Sequence, residues 1–269
     1  MSARVFVPSA RAVSASASAA LVRCTWRSCC IGCWRRPAGP LDDLAGGAGS
    51  ALQHPGGADA AAAEAITKAI RLIAGGRVMH LGFADHGPLI ASKRAQGTWL
   101  HDQVMAHSAA CIGVDINAEA VALAQSLGVP NLHGLDVFSP EFAELATQFA
   151  PTHVLLPDVL EHLHEPVAFV RRLAQVMPLV PLVVSVPNGL SLRNVWNSLA
   201  QVERINTDHL CWYSPFTVAK VLSRGGYAPE LWWGTQIAPA ASPKGRVLSA
   251  LAAWRPLWAD NILVLSRPA

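Results

Sequence analysis

Charge is scarce in this sequence. Asp, Glu, Lys and Arg make up 14% of its 269 residues, against 52% hydrophobic ones. That much apolar surface can offset chain entropy, which excludes a wholly disordered or fibrous protein. Long apolar runs are missing too. The best candidate, MPLVPLVVSVP at 177–187, falls short of the about 18 residues a membrane helix needs and is interrupted by Pro178, Pro181 and Pro187. No membrane span is expected. Acids are absent before Asp42, where six arginines stand, leaving 15 basic and 18 acidic residues in the rest. A body with that balance lacks the cationic face that nucleic acid requires, so no nucleic-acid partner is expected.

Several motifs are absent as well. Gly82 and Gly87 have the spacing of a phosphate-cradling loop, but Pro88 and Leu89 stand where Lys and Ser/Thr would be needed. Nucleoside triphosphate hydrolysis is therefore disfavoured. The dinucleotide fingerprint G-x-G-x-x-G is missing, with Ala84 and Gly87 the only small residues near its later places. Tyr213 and Tyr227 are the only tyrosines, and neither has a Lys four residues on. An NAD-dependent sugar oxidoreductase or epimerase is thus a weak alternative. Cys24, Cys29, Cys30 and Cys33 crowd into ten residues without a nearby His. Structural zinc sites draw ligand pairs from separated turns, so this run does not read as one, and no metal site is expected. Cys111 and Cys211 lie in apolar stretches and read as core thiols. All six suit a reducing compartment, here the cytoplasm.

Residues 1–57 are rich in Ala, Ser, Gly, Arg and Pro and show neither helical nor strand periodicity. They read as a disordered tail, resembling a transit peptide or the product of an upstream start codon. Residues 58–269 read as one domain. Asp59 can cap a helix carrying Ile66, Ile70 and Ile73 on one face, with Gly75 and Gly76 ending it. RVMHL, CIGV, HVLL and LVVSV have strand length, and the helical patterns NAEAVALAQSLG, SPEFAELATQF and PVAFVRRLAQVM separate them. Ser139-Pro140 and Ser214-Pro215 each place a capping hydroxyl ahead of a proline preset for the first helical turn. PELWW and NILVLS read as late strands around a Pro- and Trp-containing insertion. The alternation predicts an α/β fold, a mostly parallel sheet with helices on both faces.

Ligands of such sheets sit beyond the carboxyl ends of the strands. Gly82, in HLGFADHG after the first strand, lets the backbone turn and approach a ligand. Asp115, in IGVDIN after the second, can accept from two vicinal ribose hydroxyls, or can simply complement a helix N-terminus. Asp136, in GLDVF after the third, can accept from an adenine amino group or stand as a solvated loop acid.

The series VMHLGFADHG, IGVDIN, GLDVF, THVLLPDVLEHLHEPVAFV, LVVSVPN and DHLCWYSPFTVAKVLSRGGY resembles a class I S-adenosylmethionine-dependent methyltransferase over about residues 60–235. HLG followed by GTWLH resembles a bacterial branch linked to surface glycans. The resemblance implies a doubly wound, seven-stranded Rossmann-like sheet with an antiparallel last strand and S-adenosyl-L-methionine as cofactor. Gly82, Phe83 and Ala84 would then face the methionine portion, Asp115 with Ile116 the ribose, Asp136 and Val137 the adenine, and the Pro157 carbonyl the amino group. Family members carry an acid where His80 stands and glycines where Ala84 and His86 stand. A degenerate relative that binds the cofactor without turnover is the alternative this departure opens.

Methyl transfer from a sulfonium needs positioning and exclusion of water, and a base only where the acceptor carries a proton. Asp158, His162, Asp208 and His209 are the candidates for that base. His162 could equally fix its loop by a hydrogen bond, and His209, beside Trp212 and Tyr213, could belong either to an acceptor pocket or to an aromatic core. The expected acceptor is a small molecule or glycan precursor, with GTWLH and DHLCWY contributing to one pocket over the methyl group.

Overall fold

The computed structural model describes residues 3–5, 65–84, 87–235, 247, 250–252 and 254–269. The cysteine run, the Asp59 cap, His86, most of the N-terminal segment and much of the insertion after Thr235 lie outside the described residues. Seven strands form one sheet: β1 Arg77–Leu81, β2 Ala110–Asp115, β3 Leu132–Gly134, β4 His153–Pro157, β5 Leu182–Pro187, β6 Tyr227–Thr235 and β7 Asn261–Pro268. Their order is β3-β2-β1-β4-β5-β7-β6, parallel except for β7, which runs antiparallel to both neighbours. The expected fold is therefore observed, with the last strand inserted between β5 and β6.

The strands are apolar on both faces because helices cover both. Val154, Leu155 and Leu156 of β4 and Leu182, Val183 and Val184 of β5 are all buried, and consecutive buried residues point to opposite sides of a sheet. One face packs on α5 (Pro140–Phe149), α6 (Pro166–Val176) and α8 (Pro215–Arg224) through Phe142, Val170, Leu173, Val218 and Leu222. The other packs on α1 (Ala65–Ile73) and α3 (Leu100–His107) through Ile70, Ile73 and Val104.

The helix boundaries follow their caps. Ser139 Oγ accepts from Phe142 N at the start of α5, Asn117 Oδ1 from Ala120 N at the start of α4 (Ala118–Ser126), and Ser214 with Thr217 closes a capping box on α8. Gly75, at φ +71°, ends α1. Three helices carried no clear sequence signal: α2 (Ile90–Ala95), α3, and α7 (Leu192–Leu199), which has no buried residue. Three residues of the N-terminal segment, Ala3–Val5, pair antiparallel with Glu203–Ile205 outside the main sheet. No helix of the described residues is long and apolar enough to cross a membrane.

Candidate functional site

A crevice of about 730 Å³ opens at the carboxyl ends of β1, β2, β4 and β5. That volume suits a small-molecule ligand. Its near wall is built by the loop after β1. Gly82 adopts φ +71°, and a Cβ there would lie 2.4 Å from Val159 Cγ2, so both conformation and space demand glycine. Asp115, at the end of β2, accepts from Ala84 N at 3.1 Å through Oδ2 and from Asn117 N at 2.9 Å through Oδ1. One carboxylate thus ties the glycine loop to the start of α4, where the helix dipole also favours an anion. Asp136 Oδ1 accepts from Phe138 N at 2.9 Å, while Leu135 and Val137 line the wall beside it. Ile116 is 74% exposed at the rim.

The far wall follows β4. Asp158 sits at φ +48°, its Oδ1 accepting from Ser185 Oγ at 2.9 Å and from Asn261 Nδ2 at 3.2 Å. It is open to the crevice, but the protein around its carboxyl raises its pKa by desolvation, against the pull of Ser185, His162, Lys93 and Asn261. A single 3-10 turn, Leu160–His162, comes next. It is pinned from outside: Leu210 N donates to Glu161 O at 2.7 Å, Tyr213 OH to Leu160 O at 3.2 Å, and the His162 Nδ1–H to Asp208 O at 3.1 Å. These bonds bring the DHLCWY segment against the DVLEHL turn. The His162 and His209 rings lie 4.7 Å apart edge-on, with Trp212 6.3 Å beyond His209.

Gly82, Asp115, Ile116, Asp136, Val137, Asp158, His162, Asp208 and His209 all line the crevice. Phe83, Ala84 and Pro157 do not. Phe83 and Ala84 are buried in a separate cluster with Trp99 behind the loop, so any approach they make to a ligand is through backbone. The expectation that GTWLH and DHLCWY share one pocket is overturned. Trp99 and His101 are 1% and 0% exposed, and His101 Nδ1 lies 3.1 Å from His80 Nδ1 in the core under the glycine loop. The reason is packing: the Trp99 indole and the His101 ring meet Phe83 at 6.2 and 5.0 Å, filling the space between α3 and β1. Burial, and then the mutual repulsion of the rings, holds the His80 pKa well below its ordinary value, so the pair is neutral.

Glu161 is not among the residues that the sequence singles out. It is fully buried, and neither carboxylate oxygen has a hydrogen-bond partner among the described residues. Burial first, then the neighbouring Asp158, push its pKa up to about 8, against a pull from its own backbone N–H, which falls short of hydrogen-bond geometry. Asn206 and Asn261, also missed, line the same end. No local signal marks either, since they arrive from residues far away in the chain.

No family model and no curated protein matches the sequence. Among solved structures, the chain is similar to the small RNA methyltransferase HEN1, with a TM-score of 0.52 at 15% identity over 82% of this chain and 27% of that one. It is also similar to an S-adenosylmethionine-dependent methyltransferase from Mesorhizobium loti, at 16% identity and TM-score 0.47 over 76% of this chain and 97% of that one. Magnesium protoporphyrin IX methyltransferase from Synechocystis, solved with S-adenosylhomocysteine bound, gives 15% identity and TM-score 0.47 over 76% and 82%. Taken with the strand order and the reversed β7, the likeness to HEN1 establishes that this chain has the Rossmann-like methyltransferase fold.

Proposed function

We propose that the protein is an S-adenosylmethionine-dependent methyltransferase acting on a small molecule or glycan precursor. The observation that supports this most directly is the division of one crevice into two walls. The near wall, with Gly82, Asp115 and Asp136, has a close backbone approach and two strand-end carboxylates suited to an adenosine without phosphates. The far wall, with Asp158, His162, Asp208 and His209, carries groups able to bind a polar acceptor and take its proton.

Bound S-adenosylmethionine would supply an already activated methyl group. The chain's own work is then to hold the two partners in line. Asp115 keeps the Gly82 loop in register with α4, so that the loop backbone can contact the cofactor. The apolar edges of Leu135, Val137 and Phe138 offer a slot for a flat base. Asp158, fixed by Ser185 and Asn261 at the junction of the walls, can bind a cationic group or accept a proton.

The test is calorimetry with S-adenosylmethionine, S-adenosylhomocysteine and NADH on the purified chain. Saturable binding of both adenosyl ligands and none of NADH is expected. NADH binding alone would favour the oxidoreductase reading. Binding without turnover across acceptor panels would favour a module that has lost catalysis.

A further inference from the structure

Glu161, His162 and His209 each offer a ligand atom, and these three atoms lie within 4.8 Å of one another. First-row divalent ions take nitrogen and oxygen ligands at about 2.0–2.2 Å, so ligands sharing one ion stand roughly 3–4.4 Å apart. Side-chain adjustments of a few tenths of an ångström would close this set. We propose that Glu161, His162 and His209 form a binding site for one first-row divalent transition ion at the acceptor end of the crevice.

Two further observations point to a ligand there. The first is Glu161 itself: a fully buried side chain whose two oxygens find no hydrogen-bond partner among the described residues. An unsatisfied buried carboxyl destabilises the fold, and an ion beside it removes that cost. The second is the tautomer of His162. Its Nδ1 faces Asp208 O at 3.1 Å, and a carbonyl can only accept, so Nδ1 carries the proton, and in the neutral ring Nε2 carries the lone pair. Metal-bound imidazoles commonly donate their other N–H to a backbone carbonyl, which fixes ring orientation and raises ligand basicity. Here the second-shell bond is already in place. It comes from the residue next to His209, so one loop sets both rings.

Two imidazoles and one carboxylate suit zinc, iron, cobalt or nickel better than magnesium or calcium, which prefer all-oxygen shells. Three protein ligands leave coordination positions open. His162, His209 and Glu161 line the crevice, so an acceptor oxygen can complete the shell from that side. This last assignment rests on the methyltransferase reading; the ion site itself does not.

The experiment is titration of the metal-free full chain with Co²⁺ and Zn²⁺, followed by calorimetry and by the visible absorption of Co²⁺. The background carries Cys24, Cys29, Cys30 and Cys33 replaced by Ser, so that the thiolates of that run cannot contribute. One ion per chain is expected, with a nitrogen/oxygen Co²⁺ spectrum. Glu161→Gln and His209→Gln should each weaken binding by more than about 100-fold, beyond the roughly 10- to 100-fold typical of second-shell changes. Circular dichroism confirms that each variant folds, and His162→Gln replaces any that does not. Failure of this four-serine chain to bind, or equal binding by the folded variants, overturns the site. S-adenosylhomocysteine affinity is measured on the same samples. Its retention without ion binding overturns the ion site alone, whereas ion binding without cofactor binding overturns only the methyltransferase reading.

Discussion

The two walls of the crevice differ in how fully their polar groups are satisfied. On the near wall, both Asp115 oxygens and one Asp136 oxygen already accept from backbone N–H groups. On the far wall, Glu161 is buried with no partner among the described residues, and Asp158 and Glu161 stand close enough for Asp158 to raise the Glu161 pKa. A satisfied carboxylate holds the fold whether or not a ligand comes. An unsatisfied one costs stability until something binds, which is the pattern expected where folding energy has been given up for function. The near wall is thus a scaffold and the far wall a reactive surface, and substitutions on the two should differ in sign.

The largest effect is expected at Gly82. Gly82→Val must place a branched side chain at φ +71° against Val159 Cγ2. A left-handed backbone costs an L-residue about 1–2 kcal/mol, and overpacking a further 1–3 kcal/mol or so. Denaturant unfolding should show both losses, and Val159→Ala in the same chain should restore only the second. If Gly82→Val were as stable as the parent, the near wall would be looser than its geometry implies.

The contrast is sharpest between Asp115→Ala and Glu161→Met, measured without added ions. Asp115→Ala removes a charged acceptor and strands two backbone donors, Ala84 N and Asn117 N, so unfolding free energy should fall by about 1.5–3 kcal/mol, and adenosyl-ligand affinity should fall with it. Asp136→Ala, which releases one exposed hydrogen bond, should cost roughly 1 kcal/mol at most. Glu161→Met removes an unsatisfied buried carboxyl at similar volume, so the protein should become more stable by about 1–3 kcal/mol. Loss of stability in both the Asp115 and Glu161 variants would erase the distinction between the walls.

Much of the near wall was legible because it is local. Strand, glycine and acid follow one another in HLG, IGVD and GLDVF, so a pattern read along the chain also places them in space. The sheet was legible for the same reason, each core strand being a short apolar run between capped helices. The far wall is assembled from 158–162, 206–209 and 261, and nothing in DVLEHL indicates that Glu161 turns inward. What buries it is Leu210 N reaching its carbonyl from another loop. The misplacement of GTWLH has a related cause: a Trp and a His off the strands suggest a pocket, yet α3 rotates both toward β1, where His80 supplies a partner that composition could not reveal.

That partnership predicts a pH dependence on the near-wall side. Burial, and then Arg94, lower the His101 pKa to about 4, and burial with His101 lowers that of His80. Folded-state values below the unfolded value of about 6.5 mean that the unfolded chain binds more protons in this window. Stability contributed by the neutral pair is therefore present above about pH 6.5 and is lost as pH falls toward 4. Between pH 7 and pH 5 the loss from His101 should be about 2 kcal/mol, with His80 adding to it in the same direction. His101→Phe, which keeps a ring against Phe83 and Trp99, should flatten the slope for its own share. An unchanged slope would mean that the acid sensitivity arises on the far wall.

The smallest effect should come from outside both walls. A chain starting at Ala58 loses the three-residue pairing of Ala3–Val5 with Glu203–Ile205 and no strand of the main sheet. The Glu203 carboxylate would still accept from Trp212 Nε1, at 3.0 Å, because that bond lies wholly within the retained chain. The shortened protein should therefore keep the loop that carries His209. Since a change of 1 kcal/mol moves the midpoint of a domain this size by about 2–4 °C, a shift smaller than that is expected, with S-adenosylhomocysteine affinity unaltered. A larger drop, or weaker binding, would show that the N-terminal segment supports the far wall through residues 203–205, and the two walls would then differ in what braces them as well as in how they are satisfied.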